Sequence, residues 1–184
     1  MQQKPSSAVQ MSQTPKSQTF YRMAVDRHPV GYPFKATGRK YLGDEIEALI
    51  EAHKPAEFLS RAAATYLSAS EDVSRMGLDY DEGYLHVVEP VGLVERRDAA
   101  WLGELQRRLP ISAVHAVLPK DERLARFTND EIAKNYVTGK PTLEPHWEHL
   151  ASEAIVTAVD ETPRRIRTHS PFLDAISKVA KSSD

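Results

Sequence analysis

Two apolar stretches of the sequence carry polar side chains that can hold a ligand. In "TYLSAS" (65–70), Tyr66, Ser68 and Ser70 share one face if the segment is a strand, because strand side chains alternate with period two. Arg22 follows Tyr21 in a second apolar stretch, "TFYRMAV" (19–25). A guanidinium recognises phosphates or ribose hydroxyls, a tyrosine ring stacks on a planar base, and a serine hydroxyl donates and accepts hydrogen bonds. Together these groups suit a polar, flat ligand.

Each of these residues also has an ordinary structural explanation. An arginine in a strand often lies at a sheet edge with its stem on apolar neighbours, and a tyrosine in a strand often belongs to the core. Ser70 is in position to cap a short helix that would begin with "EDVSR" (71–75). The residue types alone leave the binding and the structural interpretation open.

Several common chemistries lack their motifs in this sequence. Neither G-x-x-x-x-G-K nor G-x-G-x-x-G occurs, so a nucleotide would be held by side chains and strand edges. There is no G-x-S-x-G, and the absence of cysteine excludes a thiolate nucleophile and a cysteine zinc site. His146 and His149 have metal-ligand spacing if their segment is helical. Without an H-E-x-x-H motif, we predict no metal site.

Length and charge restrict the class of protein. A chain of 184 residues is long enough for one domain with a single core. Its 24 basic and 26 acidic residues give a net charge of -2, which indicates neither a nucleic-acid nor an acidic membrane partner. The apolar runs are far shorter than the roughly 20 residues of a membrane span, and no signal peptide is evident. We therefore expect a soluble protein, either cytoplasmic or a secreted effector that acts in the cytoplasm of a host or target cell.

Periodicity and capping residues predict strands separated by helices and long loops, without strict βαβ alternation. Residues 1–18 contain almost no large apolar group and are predicted to be a disordered tail. The predicted strands are 19–25, 64–70, 83–90 (closed by Pro90) and 153–159, with a loop over 26–40. The predicted helices are 43–53, 99–109 (capped by Asp98), 129–136 (with a capping box of Thr128 and Glu131) and 171–180. This arrangement predicts one α+β domain over 19–184.

The order of four motifs resembles the ADP-ribosyltransferase superfamily, most closely the small rifamycin ADP-ribosyltransferases. The motifs are Tyr21-Arg22, "TYLSAS", "YLHVVEPVG" followed by acids, and "GKPT" before the last strand, so the resemblance covers roughly residues 19–160. Tyr66 matches the tyrosine of that family, and Asp98, or less closely Glu95, falls near its catalytic aspartate. Arg22 replaces a histidine, as in the arginine-serine-glutamate branch that includes bacterial toxins.

The resemblance implies a split β-sheet core with flanking helices and NAD as the substrate. The bond between nicotinamide and ribose breaks through an oxocarbenium-like centre, which a carboxylate stabilises. Glu148 in "PHWEHL" and Glu153 before "AIVTAV" are the two late glutamates, and we favour Glu148 slightly. By the same resemblance, Arg22 would contact the phosphates or the adenine-side ribose, Tyr66 would stack on nicotinamide, and Ser68 would orient the nicotinamide ribose.

The activity implied is mono-ADP-ribosyl transfer to an acceptor, most simply a protein. The basic segment "TPRRIRTH" (162–169) would either steer an acidic acceptor or serve as a solvated connector. Two alternatives stay open, namely an NAD-degrading toxin and a non-catalytic binding module on a degenerate transferase fold. What separates transfer from binding is whether a buried carboxylate faces the same cleft as Arg22 and Tyr66.

Overall fold

The computed structural model describes residues 18–38, 42–72, 82–110, 115 and 120–165, which form a six-stranded antiparallel sheet with helices packed on it. The strands are β1 (Phe20–Ala24), β2 (Pro33–Lys35), β3 (Thr65–Leu67), β4 (Glu82–Asp98), β5 (Trp147–Val159) and β6 (Arg164–Arg165). The helices of these ranges are α1 (Asp44–His53), α2 (Ala100–Arg108) and α3 (Asn129–Val137), with a 3₁₀ turn over Arg61–Ala63. The predicted α+β class is confirmed as a mixture of helix and sheet.

The long strands β4 and β5 form the centre of the sheet. They pair from His86↔Val159 to Asp98↔Trp147, with a register shift near each of two bulges. β1 pairs with the first part of β4, while β2 and β3 pair with β5. Bulges bend a strand pair. A single bridge joins β1 to the end of β3, where the main chains of Tyr21 and Ser68 exchange hydrogen bonds of 2.8 and 2.9 Å. The sheet therefore curls until these two strands meet.

Two apolar clusters hold the structure together. The first cluster joins the three helices, and its fully buried members are Ile46, Ile50, Leu105, Ile132, Ala133, Tyr136 and Val137. The second cluster belongs to the curled sheet and contains Phe20, Phe34, Leu67, Val88, Ala151, Ala154 and Val156. Apolar surface removed from water is the main favourable free energy of folding, so these clusters fix where the strands and helices meet. None of the helices in the described ranges has both the length and the apolar character to cross a membrane.

The ends of α3 follow from specific residues. The predicted capping box is confirmed, because Thr128 Oγ1 accepts from the Glu131 N–H at 3.2 Å and Glu131 Oε2 accepts from the Thr128 N–H at 2.8 Å. Beyond the C-terminus, Gly139 has φ 65°, and a Cβ at this position would lie 2.5 Å from the main-chain oxygen of Arg96. Glycine thus lets α3 end in close contact with β4.

Pro90 does not end a strand, contrary to the prediction for 83–90. β4 continues to Asp98, and β1 pairs with it only as far as Val88. At Pro90, β4 pairs with β5 on one side and has no strand partner on the other side among the described residues. Strands tolerate proline at such a free edge. Gly92, with φ 81°, lies in the bulge that follows.

Other predicted boundaries also need correction. The loop over 26–40 contains the short strand β2, and the strand predicted over 64–70 covers Thr65–Leu67 only. The last strand begins at Trp147, six residues earlier than predicted, because its first half pairs with both β3 and the end of β4. The helix at 171–180 and the tail up to residue 17 lie outside the described residues.

Candidate functional site

Strand register brings Glu148 onto the same face of the sheet as Tyr66. Glu148 on β5 lies opposite Arg97 on β4, and the next residue on that face, Leu150, lies opposite both Glu95 and Tyr66. Side chains of directly paired residues stand on one face of a sheet. Arg61, which contacts Glu148 on this face, also contacts α1 through Glu47 and α3 through Tyr136.

Arg61 lies at the centre of this region and was not singled out by the sequence analysis. Its side chain is only 7% exposed, and its Nη1 donates to Glu148 Oε1 at 2.7 Å and to the hydroxyl of Tyr136 on α3. Its Nε lies 4.0 Å from Glu47 on α1, and its guanidinium lies 4.8 Å from the ring centre of Tyr66. We call Glu47, Arg61, Tyr66, Tyr136 and Glu148 the Arg61 cluster.

The protonation states of the Arg61 cluster follow from burial and neighbouring charges. Burial alone would lower the pKa of Arg61, but Glu148, Tyr136 and Tyr66 together raise it above its ordinary value. Burial raises the pKa of both Tyr66 and Tyr136, and the charge of Glu148 adds to this effect. Near neutral pH the arginine is therefore charged and both phenols keep their protons, so the Tyr136 hydroxyl donates to Glu148 Oε1.

One oxygen of Glu148 is held and the other is not. Arg61 and Tyr136 both donate to Oε1, whereas no described residue donates to Oε2. The side chain is 19% exposed, so the carboxylate is not sealed from solvent. A carboxylate fixed in this way presents Oε2 to an incoming donor or to a developing positive charge.

The segment that carries Arg61 is anchored by β4. The main-chain N–H of Leu59 donates to Glu95, and the Leu59 carbonyl accepts from Arg97 Nη2 at 2.6 Å. Arg97 also pairs with Glu95 and is fully buried. Glu95 was the less favoured match to the catalytic aspartate of the family. In the structure it binds the main chain at Leu59, two residues before Arg61.

Asp98 is buried and bound entirely to main-chain groups. Its carboxylate accepts from the N–H of Ala100 at 3.0 Å, of Thr142 at 2.7 Å and of His146 at 2.8 Å. Ala99, and not Asp98, is the N-cap residue of α2, because the chain turns into the helix one residue later than predicted. Asp98 therefore ties the start of α2 to the loop that leads into β5 and Glu148.

Glu153 lies away from the Arg61 cluster. It is five residues beyond Glu148 on β5 and pairs with Lys35 and Val91. Five residues of strand span about 16 Å, and an odd offset directs the side chain to the opposite face. Of the two late glutamates, Glu148 is the one that the sheet brings to Tyr66.

Arg22 meets the main chain of Tyr66 and not its ring. Its Nη1 donates to the Tyr66 carbonyl at 3.0 Å, and its guanidinium lies 4.8 Å from the ring centre of Phe34. The preceding residue, Tyr21, forms the bridge with Ser68, and neighbouring side chains of a strand point to opposite faces. The first strand thus directs Arg22 towards Phe34, beside the Arg61 cluster rather than into it.

Ser68 and Ser70, which were predicted to contact NAD, bond to main-chain groups within the segment after β3, and Tyr21 on β1 reaches the same segment. Ser68 Oγ donates to the Ser70 carbonyl at 2.7 Å and accepts from the Ser70 N–H at 3.0 Å, while Ser70 Oγ accepts from the Asp72 N–H at 3.1 Å. The Tyr21 hydroxyl reaches Glu71 at 3.4 Å. Serine hydroxyls commonly make such local bonds in turns. The helix expected after Ser70 falls largely on residues outside the described ranges.

The histidine pair is not arranged as a metal site. Residues 147 onward are strand and not helix, so the spacing of three does not bring His146 and His149 together. His149 is buried with its ring edge-on to Phe20, and burial, with a smaller contribution from Arg96, lowers its pKa to about 4. Within the described residues, no group of three or more metal-binding side chains occurs.

The part of the basic segment that the structure describes is paired with acids of the same chain. Arg164 bonds to Asp160 and to Glu71, the latter at 3.4 Å, and Arg165 lies 4.0 Å from Glu82. These exposed pairs favour the connector interpretation for 162–165. Residues 166–169 lie outside the described ranges.

The chain matches no protein-family model, no curated protein and no solved structure. The resemblance to ADP-ribosyltransferases therefore stays a prediction that rests on its motifs. Arg61 could have been suspected only from "SRAAATYLS", where an arginine stands five residues before the candidate tyrosine. Tyr136 gave no signal in the sequence beyond an aromatic position on a helix.

Proposed function

We propose that this protein is an NAD-dependent mono-ADP-ribosyltransferase with an ADP-ribosyltransferase-like core. The observation that carries the proposal is the position of Glu148, whose carboxylate is fixed by Arg61 and Tyr136 on the same sheet face as Tyr66. The motif order that resembles the transferase superfamily supports the choice of NAD as the substrate.

Glu148 supplies the negative charge that the reaction needs. As the bond between nicotinamide and C1′ of the ribose breaks, its electron pair leaves with nicotinamide, and positive charge grows on the ribose. Glu148 Oε2 accepts a hydrogen bond from the ribose 2′-hydroxyl and stabilises that charge, while Oε1 stays bound to Arg61 and Tyr136. A lone pair of the acceptor then forms the new bond to C1′.

Tyr66 provides a surface for the nicotinamide ring. Its ring is partly buried, Arg61 covers it at 4.8 Å, and its hydroxyl is fixed by a 3.1 Å bond to the Arg61 carbonyl. The face of the ring away from Arg61 offers stacking to a planar, cationic group. Arg22, joined to the Tyr66 main chain, is the proposed contact to the phosphates or the adenine-side ribose.

A binding module without turnover is the second candidate, and one observation favours it. The ion pair of Arg61 with Glu148, together with Tyr136, also joins α3 to the sheet, as a purely structural pair would. A module of this kind would bind a partner or a nucleotide and leave the nicotinamide bond intact.

The test is incubation of the purified protein with adenine-labelled NAD, with and without cell lysate. We expect free nicotinamide in both cases and label on a lysate component. Nicotinamide without transferred label would indicate a glycohydrolase or a small-molecule acceptor. Failure to release nicotinamide under either condition would contradict the proposal and favour the binding module.

A further inference from the structure

Glu47 has a largely buried side chain whose carboxylate accepts no hydrogen bond from the described residues. It belongs to α1, its side chain is 9% exposed, and no described residue donates a hydrogen bond to its carboxylate. Its nearest cationic partner, Arg61 Nε, lies at 4.0 Å, which is beyond hydrogen-bond distance. Neither carboxylate oxygen is among the buried atoms that lack a partner, so both are reached by water, and a hydroxyl group of a ligand or acceptor can take the place of that water.

Arg61 does not need Glu47 as a counter-ion. The guanidinium is already neutralised by Glu148 at 2.7 Å, with Tyr136 as a further partner. A second buried carboxylate has its own desolvation cost, and an attraction across 4.0 Å without a hydrogen bond offsets little of it. A structural role therefore gives a poor account of Glu47.

The two carboxylates lie on either side of one guanidinium. Because Arg61 Nη1 contacts Glu148 and Arg61 Nε faces Glu47, the carboxylates are less than about 10 Å apart. In inverting glycoside hydrolysis, two carboxylates about 6.5–9.5 Å apart leave room for a water molecule that one of them activates, and the upper limit here allows that separation. Glu47 lies near the proposed nicotinamide surface, because Arg61 approaches Glu47 at 4.0 Å through Nε and the Tyr66 ring centre at 4.8 Å through its guanidinium carbon.

We propose that Glu47 is the general base that activates the acceptor, an inference that rests on the proposed function. The oxygen of a neutral O–H acceptor, either water or a hydroxyl group, forms a bond to C1′ of the ribose as the bond to nicotinamide breaks. Nicotinamide leaves with the electron pair of that bond, and the acceptor proton moves to the Glu47 carboxylate. The site thus selects neutral hydroxyl acceptors, since an acceptor that is already anionic has no proton to remove.

The test compares Glu47→Gln with wild type in nicotinamide release from NAD, in buffer alone and with added sodium azide. Glutamine keeps the size of the side chain and removes its basicity. In buffer, we expect release by E47Q to fall about 100-fold or more. Azide attacks without losing a proton, so it should restore release and give ADP-ribosyl azide. Glu45→Gln, an exposed position on the same helix, is the matched control and should behave as wild type.

Each result decides between the two proposals. Release by E47Q at the wild-type rate in buffer would overturn the role of Glu47 and leave the proposed function standing. Loss of release that azide does not restore would also overturn it, because Glu47 would then be needed for structure or binding. Rescue by azide shows that E47Q is folded and binds NAD. If wild type itself released no nicotinamide, the proposed function would fail and this inference with it.

Discussion

Two substitutions of Asp98, to asparagine and to alanine, should lower the free energy of unfolding by different amounts, because its two carboxylate oxygens have different partners. Oδ1 accepts from the N–H groups of Ala100 and His146, and Oδ2 accepts from that of Thr142. Asparagine keeps an oxygen for the first two donors and turns an amide N–H towards the third. Alanine leaves all three without a partner in a fully buried site.

The expected cost is about 1–3 kcal/mol for each buried donor left unsatisfied. Asp98→Asn should therefore lower the free energy of unfolding by about 1–3 kcal/mol, and Asp98→Ala by about 3–9 kcal/mol. The free energy of unfolding of a small domain is about 5–15 kcal/mol in total, so the alanine variant comes close to unfolding.

Urea denaturation followed by tryptophan fluorescence measures both changes. Glu144→Gln is the control, since this side chain is exposed and its change should stay within about 0.5 kcal/mol of wild type. A free energy of unfolding for D98A within 1 kcal/mol of wild type would refute the reasoning. Loss of NAD cleavage in D98N with unchanged stability would instead assign Asp98 the catalytic role that the family resemblance suggested.

Three further changes test other parts of the structure. Gly139→Ala should cost at least about 1–2 kcal/mol of unfolding free energy, since the left-handed backbone is strained and its Cβ would meet a main-chain oxygen of β4 at 2.5 Å; equal stability in urea would contradict this. His149 has a pKa lowered from 6.5 to about 4, so the unfolded state binds the proton first as the pH falls. The free energy of unfolding, measured by urea denaturation at a series of pH values, should drop by up to about 3 kcal/mol between pH 6.5 and 4. His149→Leu should remove this contribution to the pH dependence. A double-mutant cycle of Arg61→Met and Glu148→Gln should give a coupling of about 1–3 kcal/mol, and additive effects would argue against the ion pair.

The sequence predicts well those elements whose signals are local. The helices α1, α2 and α3 each have apolar spacing within their own segment, and each was expected within one or two residues. Acids in the first turn also mark α1 and α3, and a capping box marks α3. The first strand and the second half of β5 were expected for the same reason, because compact apolar runs of this length indicate strands.

The candidate site depends on contacts that are distant along the chain. Arg61 meets Glu148 across 87 residues and Tyr136 across 75, so no periodicity or motif connects them. The sequence suggested Glu148 through its motif, but placed it in a loop. Only the pairing of β5 with β3 and β4 shows that it stands on the face of Tyr66.

Long-range pairing also explains the error at Pro90. Proline usually ends a strand because it cannot donate to a neighbour, and the sequence offered no reason to expect otherwise. The neighbour on that side, β1, extends only to Val88, so the missing N–H leaves no partner unsatisfied. Which edge of a strand is free is a property of the whole sheet.

The most direct test of the central claim is the rate of nicotinamide release from NAD by wild type, Glu148→Gln and Glu153→Gln under identical conditions. If Glu148 stabilises the ribosyl cation through its free oxygen, E148Q should lose about 100-fold or more of the activity while E153Q keeps the wild-type rate. Equal rates for E148Q and wild type, or a loss confined to E153Q, would contradict the assignment of the Arg61 cluster as the catalytic site.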